Sequence, residues 1–410
     1  MKLYKKDGLD IIIKNNPKTP RMAITCHFLV DKPEKYAGTY GLFAKLLLQG
    51  TKSRPSGILL DLIENNGIEI DVKYKQDYLC TSALFLNEDF ELATDILADI
   101  LQNSTFDEFE KEVHKMKGEI QSELDVPRVK ATDAFVRGIF SDHYYSNSHT
   151  RITEDIDKIT RVDVEAVLGQ IAGARKALTI VGDISDHDAL AAKIEEKFAF
   201  LNQLNLKEDL VAPIAPLTEN KILKVAKNDV QQAQILKGWH AVNFNHEDYP
   251  KIIVMNNILG SSGLSSRLFV ELRDKKGLAY TVRSSFETLR RGAIIYFYIA
   301  TDPKNIETSF ESFEIEIKKL QTDFVSDEEL KGGKENVLGR LEYFTQTNVQ
   351  QALTYGYDWI MDLGLDYEEK YRKMIENVSF QDIKDVANRY FTRPSLAAVL
   401  APEKSLAVLD

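Results

Sequence analysis

A repeat is the feature that most narrows what this chain can fold into. In the first half, Leu60-x-Leu62-x-x-x-Asn66-Gly67-Ile68 runs from an apolar helix stripe through a glycine stop into a strand. In the second half, Val270-x-Leu272-x-x-x-Lys276-Gly277-Leu278 does the same. Near the end of each half a helix opens on one type of cap: Ile159-Thr160-x-x-Asp163-Val164, then Val378-Ser379-x-x-Asp382-Ile383. In both, the hydroxyl residue is the expected N-cap and the Asp three positions on closes the cap. The strands expected next, Ala177–Val181 and Leu396–Leu400, stand 219 residues apart, as do the caps. Two domains of one design follow, each of about 200 residues and able to bury its own core.

Within the first half, period-two alternation predicts strands at Leu9–Ile13, Met22–Val30, Ile68–Lys73 and Tyr78–Leu86. Helices are expected at Thr39–Gln49, at Ser56–Asn66 and from Asn87, where Phe90, Leu92, Ala93, Ile96, Leu97 and Ile100 share a face. A long charged helix, Phe106–Leu124, should end at Asp125-Val126-Pro127. Residues 204–220, LNLKEDLVAPIAPLTEN with two prolines, read as a linker between domains at 1–203 and 221–410. The fold class expected is α+β: two homologous domains, each a mostly antiparallel sheet covered by helices.

Charge excludes some functions. A formal net charge of −11 argues against nucleic acid, which needs a basic face, and against an anionic membrane. Cys26 and Cys80 have no metal-type spacing and read as small core residues in a reducing compartment. The opening MKLYKKDGLDIIIK has charge but no apolar core of a leader, and no apolar run reaches ~18 residues. The expectation is a cytoplasmic protein, or a periplasmic one if a signal peptide has been removed.

Chemistry concentrates between Gly260 and Tyr280, GSSGLSSRLFVELRDKKGLAY. Ser266–Arg273 reads as a helix with Leu268, Phe269 and Leu272 on its apolar face; Gly277 stops it and a strand starts at Leu278. Arg273 and Tyr280 therefore flank one tight turn, where a guanidinium and a phenol can converge. Spacing alone favours the plainer reading, a surface arginine and a half-buried strand tyrosine. The surrounding words, G-S-S-G-L-S-S-R-L-F-x-E-L-R-x-K-K-G-L-A-Y-x-V, resemble the C-terminal-half signature of the insulinase/pitrilysin metallopeptidase family. The resemblance extends from about residue 5 to 405. It implies a half-clamshell of two domains in which Arg273 and Tyr280 bind the substrate main chain and steady the tetrahedral intermediate.

The same resemblance exposes a gap. Active members carry His-x-x-Glu-His on a first-half helix, two imidazoles at i and i+4 binding zinc and a Glu polarising water. Anchored on Gly50-Thr51, that motif falls on Gly41-Leu42-Phe43-Ala44-Lys45. Gly41 and Lys45 stand for the histidines and Ala44 for the base, so no zinc is expected in this chain. The seven histidines include no helical i, i+4 pair, and His143 and His149 lie six apart in a polar stretch. Glu119 aligns with the distal ligand and Glu112 with the outer-shell carboxylate, seven apart on one helix face. Both fit solvated helix charges equally well. If the alignment holds, Lys45 places an ammonium where the metal would sit, paired with a buried Glu119.

The family includes a bacterial heterodimer in which one subunit bears the zinc motif and the other the Arg/Tyr pair. The resemblance thus implies that this chain is the second kind. It would be inactive alone, would grip an extended peptide, and would complete the zinc site of a His-x-x-Glu-His partner; without that partner a homodimer is possible. The alternative is a structural or peptide-binding homologue with no part in catalysis. A glycine-rich loop of the presequence-processing type is not evident, since Gly332-Gly333 and Gly260-Ser-Ser-Gly263 are too short.

Overall fold

The protein is described by a computed structural model that places residues 1–6, 8–30, 32–203 and 211–409. Residues 204–210 of the expected linker lie outside the described residues, and 211–219 carry no helix or strand. The contacts group the chain into two units. One comprises Met1–Glu119, Ile152–Val211 and Glu342–Tyr367; the other comprises Ile120–Arg151, Ala212–Leu341 and Glu368–Asp410.

The first unit is built on β1 (Lys2–Tyr4), β2 (Asp10–Asn15), β3 (Arg21–Leu29), β4 (Glu69–Lys75), β5 (Tyr78–Leu86) and β6 (Lys176–Gly182), in the order β1-β2-β6-β3-β5-β4. The second is built on β7 (Lys221–Ala226), β8 (Ala233–Ala241), β9 (Ala279–Leu289), β10 (Gly292–Thr301) and β11 (Leu396–Ala401), in the order β7-β11-β8-β10-β9. Apart from β1, which pairs only with β2, the two orders are the same pattern. Each sheet has one parallel pair, β2 with β6 and β11 with β7, and is otherwise antiparallel. This is the α+β architecture the repeat implied.

Both capping boxes are present. Thr160 and Ser379 each accept from the N–H three residues on, and Asp163 and Asp382 each accept in return from the cap N–H. The helix expected from Phe106 begins instead at Phe109. Phe106 adopts φ 55, a left-handed conformation that cannot open a helix, and its buried ring packs against Phe43 at 5.8 Å.

One exchange is not visible in the chain order. The Pro127–Phe140 helix packs on β11 and β8, in the second unit, while the Asn348–Ile360 helix packs on β3 and β6, in the first. Glycines admit both helices. A Cβ at Gly138 would lie 2.6 Å from Leu223, and one at Gly356 would lie 2.3 Å from His27. The first docking is apolar, built on Phe135, Leu236, Ile294, Tyr296 and Leu396. The second is largely polar: Thr25 donates to Ala352 C=O, Lys14 to Tyr355 Oη and Trp359 Nε1 to Asp10. His27 lies within it, and burial pushes its imidazole down to about 3, so it stays neutral.

Candidate functional site

The Arg273/Tyr280 locus belongs to the second unit. Leu268 and Leu272 are fully buried and anchor the segment to the core. From Phe269 to Lys275 the helix widens to the π type, a local form that often accompanies functional sites. It ends where Gly277 turns left-handed, φ 61, its N–H donating to Arg273 C=O at 3.0 Å and Leu278 N–H to Leu272 C=O at 2.8 Å. Arg267 fixes the N-terminal side through a two-point bridge to Glu329, Nε to Oε1 at 2.6 Å and Nη2 to Oε2 at 2.8 Å.

The strand that follows is bulged. Ala279 pairs with Thr301 and Thr281 with Ala300, so Tyr280 is the extra residue on β9, at the edge of the sheet. The bulge turns Tyr280 outward, and it is 77% exposed. Arg273 Nη1 donates to the Tyr280 carbonyl at 2.8 Å. The guanidinium carbon lies 4.6 Å from the ring centroid of Phe269 and 4.6 Å from that of Tyr280. The structure thus brings Arg273 and Tyr280 together at an exposed strand edge. A cation edge and a phenol there can meet peptide carbonyls.

Phe269 is the member of this group that sequence reasoning missed. Its place beside Leu268 and Leu272 suggested core packing, yet it is only half-buried and spends one ring face on Arg273. The signal that would have found it is the i, i+4 spacing from Phe269 to Arg273.

The Gly41–Lys45 stretch, expected at the place of the zinc motif, lies in the first unit, on the Thr39–Leu46 helix. Gly41 and Lys45 share a helix face, and Ala44 is buried. Lys45 Nζ donates to Glu119 Oε2 at 2.6 Å, on the Phe109–Asp125 helix. Glu112 is buried on that helix with Lys115 Nζ 3.8 Å away. The expected Lys45–Glu119 contact exists, but its expected burial does not: the two side chains are 36% and 42% exposed. Water screens a pair of that kind. Lys45→Ala is therefore expected to change unfolding stability by about 0–1 kcal/mol in urea melts. A loss of several kcal/mol would show that Glu119 depends on the ammonium.

These residues do not fit a zinc ion, because Gly41 and Ala44 offer no donor and a cation already occupies Glu119. Among the described residues, no group of three or more His, Cys, Asp or Glu side chains is placed to hold a metal. His143 is buried, with Nδ1 accepting from Tyr145 N–H at 3.2 Å, while His149 contacts Glu123 at 2.5 Å. Neither forms a ligand set with the other. No helix among the described residues is long and apolar enough to cross a membrane.

Residues 30–153, which contain Gly41–Lys45, match the family described as Insulinase (Peptidase family M16). Residues 172–337, which contain Arg273 and Tyr280, match the one described as Peptidase M16 inactive domain. The chain is an insulinase-family homologue. Among curated relatives, a Bacillus subtilis protein named uncharacterized zinc protease YmxG is 22% identical over 98% of both chains. Among solved structures, a peptidase M16 inactive domain from Pseudomonas fluorescens superposes with TM-score 0.87 at 18% identity, covering 98% of each chain. A protease from Helicobacter pylori gives 0.86 at 20% identity, covering 98% of this chain and 99% of that one. These likenesses carry the fold. In this insulinase-family homologue, Arg273 and Tyr280 meet in the second unit, and Gly41 and Ala44 offer no side-chain metal ligand in the first.

Proposed function

We propose that this chain is the non-zinc subunit of a heterodimeric metallopeptidase, supplying Arg273 and Tyr280 to a zinc site carried by a homologous His-x-x-Glu-His partner. The observation that carries the reading is the bulge at Tyr280. It aims an exposed phenol and the stacked Arg273 guanidinium at the same stretch of strand edge. A scaffold has no need of that arrangement. An extended, unfolded peptide is the substrate class it suits, because main-chain carbonyls are the acceptors such a pair recognises whatever the side chains. The guanidinium grips the main chain, and the phenol donates to the oxygen that gains charge in the tetrahedral intermediate. We place the complex in the cytoplasm, where the buried thiols Cys26 and Cys80 would stay reduced.

The test is reconstitution. The chain purified alone is expected to hold no stoichiometric zinc and to cleave no quenched peptide. Co-expressed with a His-x-x-Glu-His homologue encoded in the same genome, it is expected to co-purify with it and to give zinc-dependent cleavage. Near one zinc per chain in the isolated protein, retained through chelation and re-metallation, would sink the proposal. Cleavage by the partner that is indifferent to this chain would instead favour a structural role.

A further inference from the structure

We infer that Phe269 is a positioning residue for Arg273, holding the guanidinium in the orientation in which it meets a peptide main chain. This rests on the peptide-gripping role proposed above.

An arginine on a half-exposed helix face has several rotatable bonds and, left to itself, many orientations. Three contacts remove that freedom here. Nη1 is fixed in the guanidinium plane by the Tyr280 carbonyl at 2.8 Å. The faces of the Phe269 and Tyr280 rings each stand 4.6 Å from the guanidinium carbon, within cation–π range. The two rings are not equivalent supports. Tyr280 is 77% exposed, so little backs it. Phe269 is half-buried, and its chain neighbour Leu268 and its i+3 neighbour Leu272 are both fully buried in the core. Phe269 is therefore the ring through which the rigidity of the core reaches the cation.

The widened turn contributes. Residues four apart on a helix share one face, and here that spacing brings the ring of Phe269 against the guanidinium of Arg273. With two ring faces and one edge committed, the open edge of the guanidinium is presented in one direction. A leucine at 269 would keep apolar volume but lose the flat, electron-rich face.

The experiment uses the full chain labelled with 15N-arginine, with the Arg273 Nε–Hε signal assigned by its loss in Arg273→Lys. Ring currents should displace that signal from the exposed-arginine position. Phe269→Leu is expected to move it back, while Phe269→Tyr and Phe269→Trp keep it displaced. In parallel, fluorescence anisotropy reads binding of reduced, carboxymethylated, fluorescein-labelled lysozyme as an unfolded chain. Phe269→Leu should weaken binding about three- to tenfold, the scale of one cation–π contact, and Phe269→Tyr should restore it. In an Arg273→Ala background, Phe269→Leu should add nothing. If Arg273→Ala weakens binding and Phe269→Leu does not, the inference falls and the peptide-gripping reading stands. Equal losses from Phe269→Leu with and without Arg273 would also overturn it, because the ring would then act by another route. Wild-type protein that does not bind the unfolded chain, or an Arg273→Ala variant that binds like wild type, overturns both.

Discussion

Tyr280→Phe, in a complex reconstituted with the zinc-bearing partner, is expected to lower kcat by about 10²–10³-fold, the loss typical of one oxyanion donor. KM should change little. In the proposed role the phenol hydroxyl would hydrogen-bond oxygen mainly after it has gained negative charge, so its loss would fall on the transition state rather than on bound substrate. The structure supports a selective effect. Tyr280 is the bulged residue of β9 and is 77% exposed, so removing one oxygen leaves the packing beneath it untouched. Arg273→Lys should behave differently. An ammonium cannot reproduce the two-point fork, nor can it stack between two rings as a planar group does, so KM should rise while kcat changes less. Steady-state kinetics on a quenched peptide, with each variant paired to one partner preparation, separates the two. A Tyr280→Phe complex with wild-type kcat would remove the phenol from the chemistry and return the chain to a scaffold role.

Gly41→His combined with Lys45→His is expected to convert the isolated protein from zinc-free to one zinc per chain. The two positions share a helix face one turn apart, the spacing at which two imidazoles meet one ion. Glu119 is already within reach, since its Oε2 lies 2.6 Å from Lys45 Nζ. Removing Lys45 takes away the cation that occupies it. A Cβ at Gly41 has its nearest neighbour, Met116 Cε, at 3.5 Å, an ordinary contact, so a side chain can start there without displacing anything. Three protein ligands with an open fourth position suffice for tight binding. At free metal 100-fold above Kd, the folded state gains about 2.7 kcal/mol. Elemental analysis and a chelator-sensitive unfolding midpoint read the outcome, with Lys45→His alone as the control expected to stay zinc-free. A double variant that remains metal-free would show that Glu119 does not occupy the distal-ligand position.

Much of this protein is written in local chemistry, and local chemistry is what a chain displays without its fold. The capping boxes at Thr160 and Ser379 were legible because a cap is satisfied by groups three residues apart. The left-handed stop at Gly277 was legible because only glycine adopts φ 61 without strain. The Arg273–Tyr280 approach followed from that stop. The start of the long helix was misplaced by three residues because the strain held at Phe106 comes from a tertiary contact with Phe43.

What the sequence alone determined, then, is the repeated sheet design and the approach of Arg273 to Tyr280 across one glycine stop: both rest on periodicity and on spacings within one turn. Tertiary structure alone decided three other things. It decided that Lys45 and Glu119 meet in half-exposed surroundings, because exposure depends on what covers a pair, not on the residues in it. It decided that Tyr280 is bulged outward, because a bulge is a mismatch in register with a partner strand, β10, that no single strand records. And it decided that the Pro127–Phe140 and Asn348–Ile360 helices, which occupy equivalent places in the repeat, are each grouped with the sheet of the other half. An apolar or polar stripe on a helix announces that a face must be buried; it carries no address for the sheet that buries it.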